Sequence, residues 1–159
     1  KYQNENRRLT KETFNMHEMV KQVLGILNSL AQQKNLRIVN EIDETAELHQ
    51  FYEPMKILVY NLLTNAINFS EKGTIAVKMK TEKEQIIVSV KDEGVGMTPE
   101  KIQSLMADHV VITSANVDNK RGHGLGFLII KDLLKTVGAT LHIDSKLGEG
   151  TTISIIMPA

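Results

Sequence analysis

Three groups of residues in this chain have types and spacings that could do chemistry. Asn61, Asn65 and Asn68 recur at helical steps, so on a helix they fall within one narrow arc. Asparagine is a poor helix former, because its amide competes for backbone hydrogen bonds. Three on one face call for a reason. Oxygen ligation is one: a carboxamide oxygen is a hard neutral donor suited to Mg²⁺ that keeps waters and is shared with phosphates. A plain solvated helix face accounts for the stripe equally well.

Asp92-Glu93-Gly94-Val95-Gly96 is the second group. Asp92 is in phase with Ile86, Val88 and Val90, so a continued strand turns its carboxylate toward the apolar face. Such a carboxylate costs on the order of several kcal/mol without good partners. An adenine amino group is one such partner, and Gly94 and Gly96 would let a flat ring approach the backbone. An ordinary D-x-G turn after a strand is the competing reading. The third group, Gly122-His123-Gly124-Leu125-Gly126-Phe127, leads into a helix. Without Cβ atoms its N–H groups can point at phosphate oxygens, aided by the helix dipole. It lacks the strand context of a dinucleotide fingerprint and the Gly-Lys-Ser/Thr of a P-loop.

The elements that must hold these groups follow from periodicity. Met16, Met19, Val20, Val23, Leu24, Leu27 and Leu30 mark a helix over Asn15 to Gln33. Leu36 to Ile42 alternates as a strand. Glu53 to Phe69 is a second helix with Pro54 near its start, and Met55, Leu58, Leu62, Ala66 and Phe69 face its core. Two strands around Ile75–Met79 and Ile86–Val90 are joined at Glu82-Lys83-Glu84. From Gly94 to Gly122 periodicity dissolves, apart from a short helix over Pro99 to Met106. So long a loop in a compact domain reads as a lid or a disordered segment. A third helix runs to Val137, and strands near Ala139–Ser145 and Thr151–Met157 meet at a turn over Leu147 to Gly150. Helices mixed with mostly antiparallel strands imply an α+β two-layer sandwich.

Composition narrows the function classes. The chain has 159 residues, with 42% hydrophobic and 24% charged, enough for one soluble domain with a real core. Formal net charge is +0 and basic residues are scattered, so we expect no nucleic-acid partner and no direct membrane contact. Cysteine is absent, which excludes disulfides and thiolate metal sites. No run approaches the roughly 18 apolar residues of a membrane span, and no signal-peptide core is present. The chain opens on Lys1 rather than Met, and we expect a piece cut from a longer protein. The polar stretch 1–13 is expected to be a linker or the end of a preceding dimerisation helix, and 14–159 the folded domain.

In their order, the groups resemble a known family. Asn-Leu-Leu-Thr-Asn-Ala at 61–66, Asp-Glu-Gly-Val-Gly at 92–96, Gly-His-Gly-Leu-Gly at 122–126 and Gly-Glu-Gly-Thr-Thr at 148–152 look like the N, G1, G2 and G3 boxes of sensor histidine kinases. These belong to the wider gyrase, HSP90, histidine kinase and MutL (Bergerat-fold) ATPase superfamily. The resemblance spans roughly Phe14 to Pro158. It implies a mixed sheet of about five strands, covered on one face by about three helices, with a lid over bound ATP and Mg²⁺. Asn65 matches the Mg²⁺ ligand and Asn61 a polar partner on the phosphate side; together they are the catalytic candidates. Asp92 matches the acceptor of the adenine amino group, with Gly94, Gly96 and Met97 beneath the base. Gly122, Gly124 and Gly126 match the phosphate clamp. Leu125 lies within it, as does His123, either a phosphate contact or a spacer. Thr151 lies near the adenine side.

Position 61 separates branches of that superfamily. Members that hydrolyse ATP resemble one another in having Glu there as general base, whereas Asn61 cannot take a proton from water. That fits transfer of the γ-phosphoryl to a protein histidine, catalysed by positioning and charge stabilisation. There are three departures from the family pattern. Asn68 stands where Lys is usual, Leu105-Met106-Ala107 where a phenylalanine-rich lid box is usual, and Phe127 where leucine is usual. Lys120 and Arg121, just before Gly122, are expected to supply the missing charge from the lid. His17-Glu18 begins like a phosphoacceptor motif but lies in the first helix with no basic residue after it. His49, His109 and His142 have no constellation. The resemblance therefore implies a phosphoacceptor His on a separate dimerisation domain, and a response-regulator receiver domain as second partner. It also implies a monomeric fragment of a homodimeric parent, in the cytoplasm or at the inner membrane. A nucleotide-binding module without phosphotransfer, acting as a conformational regulator, is the alternative.

Overall fold

Strand β1 (Glu12–Asn15) runs straight into helix α1 (Met16–Gln33), and Asn15 makes the junction. Its Oδ1 accepts the Glu18 N–H at 2.8 Å, satisfying a first-turn donor with no partner inside the helix. Its Nδ2 donates to the Glu44 carbonyl at 2.8 Å. Along α1, Met16, Met19, Val20, Val23, Leu27 and Ala31 form one buried face. The computed structural model describes residues 10–96, 98–100 and 123–159.

After α1 come β2 (Leu36–Asn40), β3 (Glu47–Gln50), α2 (Tyr52–Phe69), β4 (Gly73–Glu82) and β5 (Gln85–Asp92). α3 (His123–Val137), β6 (Thr140–Ser145) and β7 (Thr151–Pro158) complete the described elements. Five strands form one mixed sheet in the order β2-β4-β5-β7-β6. β2 lies parallel to β4, and every other pair is antiparallel. Strand parity sends Ile75, Val77, Val88, Val90 and Ile155 to the helix side, where all are buried. Lys78, Lys80 and Lys91 emerge exposed on the other face. The two-layer α+β sandwich expected from the sequence is the fold observed.

The strand expected over 36–42 ends at Asn40 instead. Its Oδ1 accepts the Ile42 N–H at 3.2 Å, a local turn that competes with the ladder. Ile42 is nonetheless buried, which is why its periodicity reads as strand. β1 and β3 pair as a separate two-stranded sheet, Glu12 opposite Gln50 and Asn15 opposite Glu47, so Glu12 and Thr13 carry strand within the stretch read as linker. Buried Gln50 ties this sheet to the main body. Its Nε2 donates to the Val137 carbonyl at 3.0 Å and its Oε1 accepts the Phe51 N–H at 2.9 Å.

Two contacts fix α2, the helix of the asparagine stripe. Met55, Leu58, Leu62, Leu63 and Ala66 bury its inner face. At its end the Lys34 ammonium donates to the Ile67 carbonyl at 2.7 Å and the Asn68 carbonyl at 3.3 Å. Those carbonyls have no partner within the helix, and a cation there also suits the dipole.

The β4–β5 hairpin turns on Lys83 and Glu84, both at positive φ, 49° and 65°. A two-residue turn of this kind prefers Asn-Gly, because left-handed backbone costs other residues roughly 1–2 kcal/mol each. Lys83→Asn combined with Glu84→Gly should therefore raise stability by about 1 kcal/mol, read as a higher urea midpoint at unchanged slope.

Candidate functional site

Asp92 and Thr151 stand opposite each other where β5 and β7 begin to part, in register across the sheet. Both are almost fully buried, at 4% and 5% exposure. The Gly94 N–H donates to Asp92 Oδ1 at 2.8 Å. Burial pushes the Asp92 carboxyl above its ordinary value, opposed by the backbone N–H groups of Gly94 and Thr151. Among the described residues the carboxylate has N–H donors but no cationic partner, so it is a strong acceptor in a buried place.

Two turns build the cavity in front of it. The Gly148 N–H donates to the Val95 carbonyl at 2.6 Å, and the Glu149 N–H to the Lys146 carbonyl at 2.9 Å. This clasp joins the turn after β5 to the turn between β6 and β7. Gly96, at φ 77°, lies against the Lys146 carbonyl, where a Cβ would collide. Gly94 packs on the Phe69 carbonyl, which a Cβ would meet at 2.7 Å. The resulting cavity of about 240 Å³ is lined by Phe69, Asp92, Val95, Gly96, Thr98, Leu147 and Thr151. It is smaller than the roughly 300–1,000 Å³ of a complete small-molecule site. Its size suits a flat base, with the remainder of a larger ligand outside.

Asp92, Gly96 and Thr151, all singled out in the sequence, therefore meet in one cavity, with Gly94 behind the carboxylate. The asparagines lie on α2 outside that lining. Asn61 is half-buried and its Nδ2 donates to the Ile57 carbonyl at 2.9 Å, leaving Oδ1 as its presented acceptor. Asn65 is half-buried, and among the described residues its amide makes no hydrogen bond. Asn68 is exposed. His123, Gly124, Leu125 and Gly126 form the first turn of α3, with side chains outside the described residues. Met97, Lys120, Arg121 and Gly122 also lie outside them, as do Leu105, Met106, Ala107 and His109.

Sequence reasoning assigned Phe69 to the core and did not single out Val95, Thr98 or Leu147. Phe69 sits at the end of α2, where the apolar arc meets the cavity, so helical period alone could not separate the two roles. Val95 and Leu147 are strongly exposed, and an apolar residue next to a turn glycine is the only signal the sequence offers for them. His17 has a structural partner: its Nδ1 lies 2.7 Å from the Ile42 carbonyl. No described helix is long and apolar enough to cross a membrane.

The family described as histidine kinase-, DNA gyrase B- and HSP90-like ATPase matches residues 52–159. The chain is 29% identical over 154 residues to the sensor histidine kinase GacS of Pseudomonas protegens, covering 91% of this chain and 17% of that protein. It is 27% identical over 158 residues to the autoinducer 2 sensor kinase/phosphatase LuxQ of Vibrio vulnificus, covering 94% and 18%. The chain thus spans under a fifth of the length of these relatives. Its fold matches the catalytic domain of histidine kinase ThkA with a TM-score of 0.77 at 19% identity, covering 94% of this chain and 96% of that one. Full-length ShkA in complex with AMPPNP matches with a TM-score of 0.81 at 19% identity, covering 95% and 31%.

The raised Asp92 carboxyl carries a sign that can be checked without a ligand. Because the folded state holds this proton more tightly than the unfolded state, its contribution is favourable at low pH. It is lost as pH rises through the folded value. Urea unfolding of wild type and Asp92→Asn should show wild type losing ground to the variant as pH rises above the ordinary aspartate range near about pH 4. The variant should be at least as stable at neutral pH.

Proposed function

We propose, since the chain belongs to the histidine kinase-, DNA gyrase B- and HSP90-like ATPase family and its relatives are sensor histidine kinases, that it passes the ATP γ-phosphoryl to a histidine on a separate dimerisation domain. The observation that carries the reading is the buried Asp92 carboxylate, without a cationic partner among the described residues, in a base-sized cavity. An adenine amino group supplies a further donor to the carboxylate beside the backbone N–H groups, and Phe69, Val95 and Leu147 supply apolar contact for the ring.

The nucleotide then extends from the cavity toward α2 and the start of α3. Asn65 offers a half-buried carboxamide with no competing partner among the described residues, which fits the hard-oxygen chemistry of Mg²⁺. Asn65 would hold Mg²⁺, and the ion would supply charge neutralisation for the phosphate oxygens. Asn61 presents Oδ1 and cannot act as a base toward water, so the chain's own residues favour positioning over hydrolysis. The first turn of α3 directs backbone N–H groups at the phosphates. In the transfer, the bond from the γ-phosphorus to the bridging oxygen breaks and a phosphorus–nitrogen bond forms at the acceptor imidazole. ADP leaves with the electron pair. A response-regulator receiver domain is the proposed onward acceptor, and the cytoplasm the proposed compartment.

A nucleotide-binding module without transfer is the second reading. It is favoured by exposed, uncharged Asn68 where the family usually has Lys.

Incubating the chain with Mg²⁺-ATP and its dimerisation domain should yield acid-labile phosphohistidine. Nucleotide binding without phosphohistidine selects the second reading, and steady phosphate release contradicts both. Asn65→Ala should weaken ATP binding in Mg²⁺ by about tenfold or more, since even groups behind a metal ligand are worth that much. In excess chelator the variant and wild type should bind alike.

A further inference from the structure

Ser145, Thr151 and Asp92 form one row across three neighbouring strands. Ser145 at the end of β6 pairs with Thr151 at the start of β7, and Thr151 pairs with Asp92 at the end of β5. Residues paired this way on one face of a sheet are in side-chain contact. The Ser145 hydroxyl donates to the Gly150 carbonyl at 3.0 Å and lies 2.7 Å from Thr151 Oγ1. A carbonyl can only accept, and a serine hydroxyl has one proton. With that proton on the Gly150 carbonyl, the proton in the 2.7 Å contact comes from Thr151. Thr151 therefore has only lone pairs left for anything in the cavity that it lines. Its neighbour Asp92 is likewise an acceptor when ionised.

We infer that Ser145 is a positioning residue for base selection, which takes the Thr151 proton and leaves Thr151 and Asp92 as paired acceptors that favour a base with an exocyclic amino group. This rests on reading the cavity as the adenine site. Adenine presents its amino N–H donors to such a pair. Hypoxanthine presents an N1–H that Asp92 can accept, but also an O6 that needs a donor. A Thr151 hydroxyl committed to Ser145 cannot supply that donor, so O6 meets lone pairs on the oxygen. Ser145 itself does not line the cavity; it acts through the rotation of its neighbour.

Calorimetric titration of the full chain with Mg²⁺-ATP and with Mg²⁺-ITP tests this. Wild type should favour ATP. In Ser145→Ala the Thr151 hydroxyl is free to turn and donate to O6, and the ATP:ITP affinity ratio should narrow by about tenfold, mainly through tighter ITP binding. Ser145→Thr keeps the hydroxyl and should restore the wild-type ratio. Ser145→Cys, a weak donor and weak acceptor, should fall between, and it serves if the alanine variant does not fold. A ratio unmoved in both the alanine and cysteine variants overturns the inference, as does an equal loss for both nucleotides. Wild type that binds neither nucleotide overturns the adenine reading itself. Wild type that binds ATP while the variants leave the ratio fixed removes only the role of Ser145.

Discussion

Asp92 is brought to the helix side of the sheet by strand parity alone: Val88 and Val90 precede it on the buried face, and the next inward position is a carboxylate. Burying that group works against folding, and the backbone N–H groups around it offset only part of the cost. Gly94 and Thr151 donate backbone N–H groups, while Phe69 and Leu147 keep the space in front of it largely apolar. The rest of the site follows from that constraint. The turn after β5 must bend back immediately, so it uses Gly94 and Gly96. The turn before β7 must approach closely enough to clasp it, so the Lys146 carbonyl sits where Gly96 has no side chain. The result is a preformed, buried acceptor at the back of a cavity, which costs little to organise when a donor arrives.

A second constraint is the placement of α2. Its buried leucines and Met55 anchor it to the core, and Lys34 closes its carbonyl end. The asparagine arc is therefore held at the border between core and solvent rather than pointing freely outward. The Asp92 cavity sits at the sheet end and the asparagine amides sit on the helix. These are separate elements, so each can be altered by substitution without the other.

Much of this was legible in the sequence because periodicity and parity are local. The helix ending at Gln33, the phase of Asp92 and the hairpin around Lys83 are all set by residues within a few positions of one another. The small β1–β3 sheet was not legible, since its strands are four residues each and carry little apolar signal beyond Phe14 and Leu48. Phe69 reads as core in the sequence because a helix period cannot tell a core arc from a cavity wall at its edge. Val95 and Leu147 acquire a role only when the two turns meet, a long-range contact that no local pattern encodes. The Ser145–Thr151–Asp92 row depends on register between strands distant in sequence, and became visible only with the sheet order.

The most direct test of the account is an amide ¹⁵N–¹H spectrum recorded as Mg²⁺-ATP is added to the chain. The N–H groups of Gly94 and Thr151 bond the Asp92 carboxylate, and Gly96 lines the cavity beneath it. These three amides should show saturating shifts among the largest observed, with Lys78 and Lys80 on the opposite sheet face nearly still. Saturating shifts centred on that opposite face, with Gly94, Gly96 and Thr151 unmoved, would contradict it.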